Sequence, residues 1–105
     1  MIINLEYKFG CIIGYFHERR MTINSLYVEE EYRSKGYGLF LIEEILNFAY
    51  KQGIIHVELY DCSTNYRKKH NIYLKCGFRY LDDEKMYGNI RNVLFALKII
   101  KNIKI

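Results

Sequence analysis

The stretch from Tyr37 to Gln52 constrains the fold of this chain more than any other. Leu39, Leu41, Ile42, Ile45, Leu46, Phe48 and Ala49 fall on one helical stripe, and Glu43, Glu44, Asn47 and Lys51 fall on the opposite one. Gly53 stands where a helix of this kind stops. On either side lie two short apolar runs, Met21 to Val28 and Ile54 to Tyr60, each of strand length. A helix that crosses between two strands of one sheet leaves them parallel. The chain therefore has to build a sheet with at least one parallel pair and a helix packed across it.

The remaining elements follow from the same reading. Ile2 to Phe9, Cys11 to Glu18 and Met21 to Val28 form a β-meander, with Gly10 and the Glu18-Arg19-Arg20 cluster as turns. Ser63 and Thr64 can cap a second helix that runs to about Cys76 and ends at Gly77. Two final strands are expected at Phe78 to Leu81 and Asn92 to Ile100, joined by the polar loop Asp82 to Arg91. The order is β-β-β-α-β-α-β-β, an α/β (α+β) fold with a mixed, mostly antiparallel sheet and two helices. No linker, repeat or shift of composition divides residues 1–105, and half of them are hydrophobic, so one domain with its own core is expected.

Composition removes several function classes. Cys11, Cys62 and Cys76 are odd in number, widely spaced and form no C-x-x-C pair, which argues against a disulfide framework or a zinc site. A reducing, cytoplasmic setting is the simplest expectation. The first residues lack a basic segment followed by an apolar one, and no run reaches the roughly 18 apolar residues of a membrane span. A net charge of +4, with Arg67-Lys68-Lys69 as the densest basic run, is modest for a nucleic-acid binder and suits a small anionic ligand equally well.

One segment carries chemistry. Between the strand ending at Val28 and the helix starting at Tyr37, the residues Arg33-Ser34-Lys35-Gly36-Tyr37-Gly38 turn the chain and place two glycines at the helix mouth. The first N–H groups of a helix have no intrahelical partner and sit at the positive end of its dipole, so together they attract anions. Gly36 and Gly38 carry no side chain to block a phosphate and allow positive φ. Arg33 and Lys35 add attraction at longer range. The dinucleotide fingerprint is excluded because position 41 is Leu, and the P-loop is excluded because no G-K-[ST] follows.

The run Leu26-Tyr27-Val28-Glu29-Glu30-Glu31-Tyr32-Arg33-Ser34-Lys35-Gly36-Tyr37-Gly38-Leu39 resembles motif A of the GCN5-related N-acetyltransferases, R/Q-x-x-G-x-G/A after an apolar strand. Tyr73-Leu74-Lys75-Cys76-Gly77-Phe78 is similar to motif B of that family, Y-x-x-x-G-F. The resemblance covers residues 8–100. It implies the acyl-CoA N-acyltransferase fold, in a member shortened by the usual first strand and first two helices. It implies an acetyl-CoA-dependent N-acetyltransferase acting on a primary amine of a protein or small molecule, with no metal. Arg33, Ser34, Lys35, Gly36, Tyr37, Gly38 and Leu39 would hold the pyrophosphate. Leu26, Tyr27 and Val28, on a strand that bulges and parts from the next parallel strand, would pair with the pantetheine arm.

The same resemblance gives Tyr73 the task of passing a proton to the departing thiolate. A transfer from a phenol near pKa 10 to a thiol near 8.5 is uphill by about 2 kcal/mol. Asp61, about twelve residues ahead of it, takes the place of a general base, with His17, His56 and Glu58 as alternatives. The family commonly carries Asn at position 66, where this chain has Tyr66; the adjacent Asn65 takes the pantetheine contact. Glu29-Glu30-Glu31 reads as a solvated turn. An acceptor site without its usual roof suits a large amine substrate, or completion by a second subunit in a homodimer, or a domain that binds CoA or a protein partner without catalysis.

Overall fold

The computed structural model describes residues 1–60, 72–82 and 84–103. The chain opens with β1 (Ile2–Tyr7), β2 (Gly10–His17) and β3 (Arg20–Val28), followed by a single 3₁₀ turn (Glu30–Tyr32) and α1 (Tyr37–Lys51). Then come β4 (His56–Tyr60), α2 (Ile72–Lys75), β5 (Arg79–Tyr80), β6 (Lys85–Asn89) and α3 (Ile90–Ile103). The six strands form one sheet in the order β1-β2-β3-β4-β6-β5. Among the described residues β3 and β4 are the one parallel pair, matched from Arg20↔His56 to Ile23↔Leu59, as the α1 crossover requires. The architecture is the mixed, mostly antiparallel α/β fold that the sequence implied.

Each helix stop expected from glycine is present. Gly53 takes φ +80°, its N–H donates to the Tyr50 carbonyl at 3.0 Å, and Ile54 N–H donates to Ala49 at 3.1 Å. Gly77 takes φ +98°, with Gly77 N–H on Leu74 at 3.2 Å and Phe78 N–H on Tyr73 at 3.1 Å. Both are Schellman closures, in which a left-handed residue satisfies the last carbonyls of a helix.

The end of the chain departs from the sequence reading. The segment Asn92 to Ile100, expected as a strand, belongs to helix α3, and the expected loop Asp82 to Arg91 contains strand β6. Ile90, Val93 and Leu97 are buried while Arg91, Asn92, Phe95 and Lys98 are exposed, which is a helical stripe beginning two residues before the expected strand. Asn89 caps it, its Oδ1 accepting the Asn92 N–H at 3.2 Å. In β6 the buried residues alternate, Met86 and Gly88, and a Cβ on Gly88 would come within 3.0 Å of the Phe78 and Val93 side chains. Gly88 is therefore a packing requirement of this strand. Of the expected helix from Ser63 to Cys76, the part up to residue 71 lies outside the described residues.

The core is one contiguous cluster on a single face of the sheet. Leu41, Ile42, Ile45, Leu46 and Ala49 of α1 are fully buried against Ile12, Met21, Ile23, Val57 and Leu59 of the strands. Burying the four large aliphatic side chains of α1 contributes on the order of 10 kcal/mol before entropy is counted. Phe78, Met86, Ile90, Val93 and Leu97 extend the cluster under α3. Among the described residues no helix is long and apolar enough to cross a membrane.

Candidate functional site

The site is built where β3 ends and α1 begins. β3 does not alternate uniformly along its length. Ile13 pairs with Ser25 but Gly14 pairs with Ile23, so Asn24 is an extra residue, a β-bulge. Before it, Met21 and Ile23 face the core; after it, Leu26 and Val28 do, opposite Ile12 and Gly10. The β3–β4 ladder stops at Ile23↔Leu59, immediately before the bulge. From Asn24 to Val28 the β4 side of β3 has no strand partner among the described residues.

Beyond Val28 the chain is clamped into a compact loop by its own backbone. Tyr32 N–H donates to Glu29 at 2.8 Å, Arg33 N–H to Glu30 at 3.3 Å, and Glu29 N–H to the Phe9 carbonyl at 2.7 Å. The cations join the clamp, since Arg33 Nε donates to Val28 O at 2.9 Å and Lys35 Nζ to Glu31 O at 3.2 Å. Arg33 also lies over the Tyr27 ring at 5.5 Å, and Lys35 over the Tyr32 ring at 6.0 Å. Both cations thus shape the loop beyond the long-range attraction read from the sequence. Ser34 and Gly36 take positive φ, +63° and +90°, and Gly36 is the N-cap of α1.

The consequence is a row of backbone donors. No side chain caps α1, and among the described residues no partner accepts the N–H groups of Ser34, Lys35, Gly36, Tyr37, Gly38 or Leu39. A Cβ at Gly36 would meet nothing within 4 Å, so the space beside the N-cap residue is open. This array at the positive end of a 15-residue helix has the chemistry of an anion site.

The sequence reading missed what holds the array in place. Tyr37 stacks on Phe9 with centroids 4.2 Å apart, Phe9 in turn stacks on Tyr7 at 5.1 Å, and Tyr32 meets Tyr37 edge-on at 5.7 Å. Phe40 packs edge-on against Phe9 at 5.6 Å. The loop is pinned to the β1–β2 hairpin by aromatic contacts, each worth about 0.5–1.5 kcal/mol beyond its buried area. The abundance of Tyr and Phe was the signal, but their partners are set by register and not by spacing along the chain.

The other expected site residues divide into two groups. Leu26, Tyr27, Val28 and the run from Arg33 to Leu39 are brought together at the strand end and helix mouth. Tyr73 lies on α2, half-buried, edge-on to Phe78 at 5.9 Å, and its carbonyl takes part in the helix closure. Asp61 and Asn65, like the Arg67-Lys68-Lys69 run, lie outside the described residues. Of the alternative bases, Glu58 is buried in a salt bridge with Arg20 at 3.1 Å and Lys85 at 3.4 Å. His56 Nδ1 and the Tyr87 hydroxyl share a hydrogen bond, and His17 is exposed. Among the described residues no group of His, Cys, Asp and Glu could hold a metal ion. Cys76, fully buried, has its thiol pushed up from 9.0 to about 11 by burial, with Lys75 pulling weakly the other way, which makes it a core residue and not a nucleophile.

Comparison with known proteins places this geometry. Residues 5–78 match the sequence model of the acetyltransferase (GNAT) family. Among solved structures, Ard1 from Thermoplasma volcanium is similar at 25% identity and a TM-score of 0.64, with 76% of this chain and 62% of that one covered. The PaiA N-acetyltransferase from Thermoplasma acidophilum, solved in complex with coenzyme A, shares the fold at 24% identity and a TM-score of 0.65, covering 77% and 53%. The ribosomal-protein-S18-alanine N-acetyltransferase from Escherichia coli shares it at 18% identity and a TM-score of 0.69, covering 86% and 68%. The chain spans less than two thirds of the length of the first two. No curated protein sequence matches it.

Proposed function

The chain belongs to the acetyltransferase (GNAT) family, and on that premise we propose that it moves an acetyl group from acetyl-CoA to a primary amine by direct attack. The observation that carries this reading is the row of unpartnered amides from Ser34 to Leu39, set beside a strand edge whose partner ladder has stopped. Those amides, with Gly36 and Gly38 clearing the approach, would hold the pyrophosphate. The free side of Leu26, Tyr27 and Val28 would take the amides of the pantetheine arm as an added strand takes a sheet edge. A relative of the same fold solved with coenzyme A is consistent with that ligand.

In the transfer the amine nitrogen forms a bond to the thioester carbonyl carbon, and the carbon–sulfur bond breaks. The Tyr73 hydroxyl passes its proton to the departing thiolate, an acid role suited to a phenol that sits close to the thiol in pKa. The amine's surplus proton leaves through Asp61 or a water chain, and Asn65 steadies the pantetheine. Backbone donors at the bulge stabilise the oxyanion of the tetrahedral intermediate.

The test is calorimetric binding of acetyl-CoA together with thiol release in the presence of a panel of primary amines. Micromolar binding and amine-dependent thiol release are expected. Binding without turnover on any amine would reassign the chain as an inactive GNAT-fold module that binds CoA or a protein partner. Absence of binding would remove the transferase reading altogether.

A further inference from the structure

The helices described here cover one face of the sheet, and the other face carries a charged strip. Val57 and Leu59 of β4 point into the core, so alternation places His56, Glu58 and Tyr60 on the opposite face. Glu58, only 9% exposed, sits at the centre of the strip. Arg20 reaches it from β3 and Lys85 from β6, at 3.1 and 3.4 Å. At one end of the strip Arg19, Arg20, His17 and His56 line a shallow pocket with Glu18.

Glu58 does not use up its partners. A guanidinium offers five N–H donors and an ammonium three, and the carboxylate occupies one atom of each. The Arg20 side chain is 60% exposed. The buried carboxylate therefore acts as a fixed anchor that holds two cations in place with donors to spare, and the strip keeps a net positive charge. It also ends where the proposed chemistry would occur. Glu58 pairs with Thr22, one step short of Ile23↔Leu59, at which the β3–β4 ladder stops.

We infer that the amine acceptor is an acidic peptide, whose carboxylates dock on Lys85, Arg20 and Arg19 while its amine reaches the end of the β3–β4 ladder; this rests on the proposed acetyl transfer. The strip is three strands wide, about 10 Å, which fits one or two carboxylates on flexible side chains and not a run of phosphates. Glu58 at its centre and Glu18 at its rim would repel a phosphodiester backbone. Tyr15, Tyr27 and Tyr60, 42%, 46% and 58% exposed on the same face, offer surfaces for the peptide to pack on.

The experiment compares three labelled peptides with free N-termini, identical except for acidic, amide or basic side chains, by fluorescence anisotropy with the wild-type protein and two variants. The acidic peptide is expected to bind at least tenfold more tightly than the amide peptide. Lys85→Glu and Arg19→Glu are each expected to remove that preference while calorimetric affinity for acetyl-CoA is unchanged. Arg19 is exposed, so its variant stands on its own if Lys85→Glu fails to fold. Equal affinity for the acidic and amide peptides, an unchanged preference in Arg19→Glu, or tighter binding of a single-stranded oligonucleotide would overturn the inference. Acetyl-CoA binding without the acidic preference sinks this inference alone; acidic preference without acetyl-CoA binding sinks the transferase reading and leaves the charge reading intact.

Discussion

Replacing Gly36 by glutamate separates the backbone shape of the loop from its affinity for anions. Gly36 sits at φ +90°, and a residue with a Cβ pays about 1–2 kcal/mol for a left-handed conformation. No clash is added, since a Cβ there meets nothing within 4 Å. A domain with the usual 5–15 kcal/mol of stability remains folded under that cost. The new carboxylate would lie at the head of α1 among the amides from Ser34 to Leu39, competing for them and facing the pyrophosphate. Two phosphate charges at about 5 Å repel it by about 2 kcal/mol in the dielectric of water and by about 7 kcal/mol at an effective dielectric of 20. Acetyl-CoA affinity should therefore fall by at least about tenfold, and more if the mouth is shielded from solvent. Gly36→Ala carries the same backbone cost and a methyl group but no charge, so it should lose the same thermal stability and less affinity than Gly36→Glu. Isothermal titration calorimetry and thermal denaturation on both variants decide the matter. A folded Gly36→Glu protein that binds acetyl-CoA as the wild type does would refute the assignment of the loop.

Four further outcomes are expected. Tyr73→Phe should slow turnover by roughly 10²-fold with acetyl-CoA affinity nearly unchanged; an unaffected kcat removes Tyr73 from the mechanism. Gly10→Ala would put a Cβ 2.1 Å from the Tyr27 carbonyl oxygen and 2.9 Å from Val28 Cα, both backbone atoms, and should cost about 3 kcal/mol or more in urea denaturation. A loss below about 1 kcal/mol would show that the two strands can part freely. Asn89→Ala should cost about 1 kcal/mol by removing the cap of α3, and no change would mean that the Asn89–Asn92 bond contributes nothing. The Cys76 thiol, raised to about 11 in the fold, titrates near 9.0 when unfolded. Its contribution is intact below pH 9 and declines by about 2–3 kcal/mol as pH rises to 11, because the unfolded chain ionises first. The stability difference between wild type and Cys76→Ala should shrink across that window; a constant difference would contradict the assignment.

The parts of this fold that were legible in the sequence are those fixed by neighbours along the chain. The stripe from Leu39 to Ala49, its stop at Gly53 and the loop from Arg33 to Gly38 each lie within one turn or one helix, so spacing alone locates them. The end of the chain was not legible for the opposite reason. Lys85 to Asn89 contains Gly88 and Asn89, poor strand formers, and becomes a strand only because β4 and β5 flank it and Phe78 fills the space over the glycine. Val93, Ile99 and Ile100 favour a strand locally, whereas burial of Ile90, Val93 and Leu97 decides for a helix. The charged strip was invisible for a third reason. Arg20, Glu58 and Lys85 come from three separate parts of the chain and meet only through sheet register.

Asn24 encodes the geometry of the strand end by count and not by chemistry. Its side chain is exposed; removing the residue would let β3 alternate without interruption from Ile23 through Ser25 to Leu26 and Val28, which keeps the same side chains toward the helices and erases the bulge. A single-codon deletion there would spare the core and remove the irregularity just past the last β3–β4 pair, Ile23↔Leu59, whereas most substitutions at the same position should pass unnoticed. The vulnerability of this strand therefore lies in its length, a property that scanning by point mutation would not reveal.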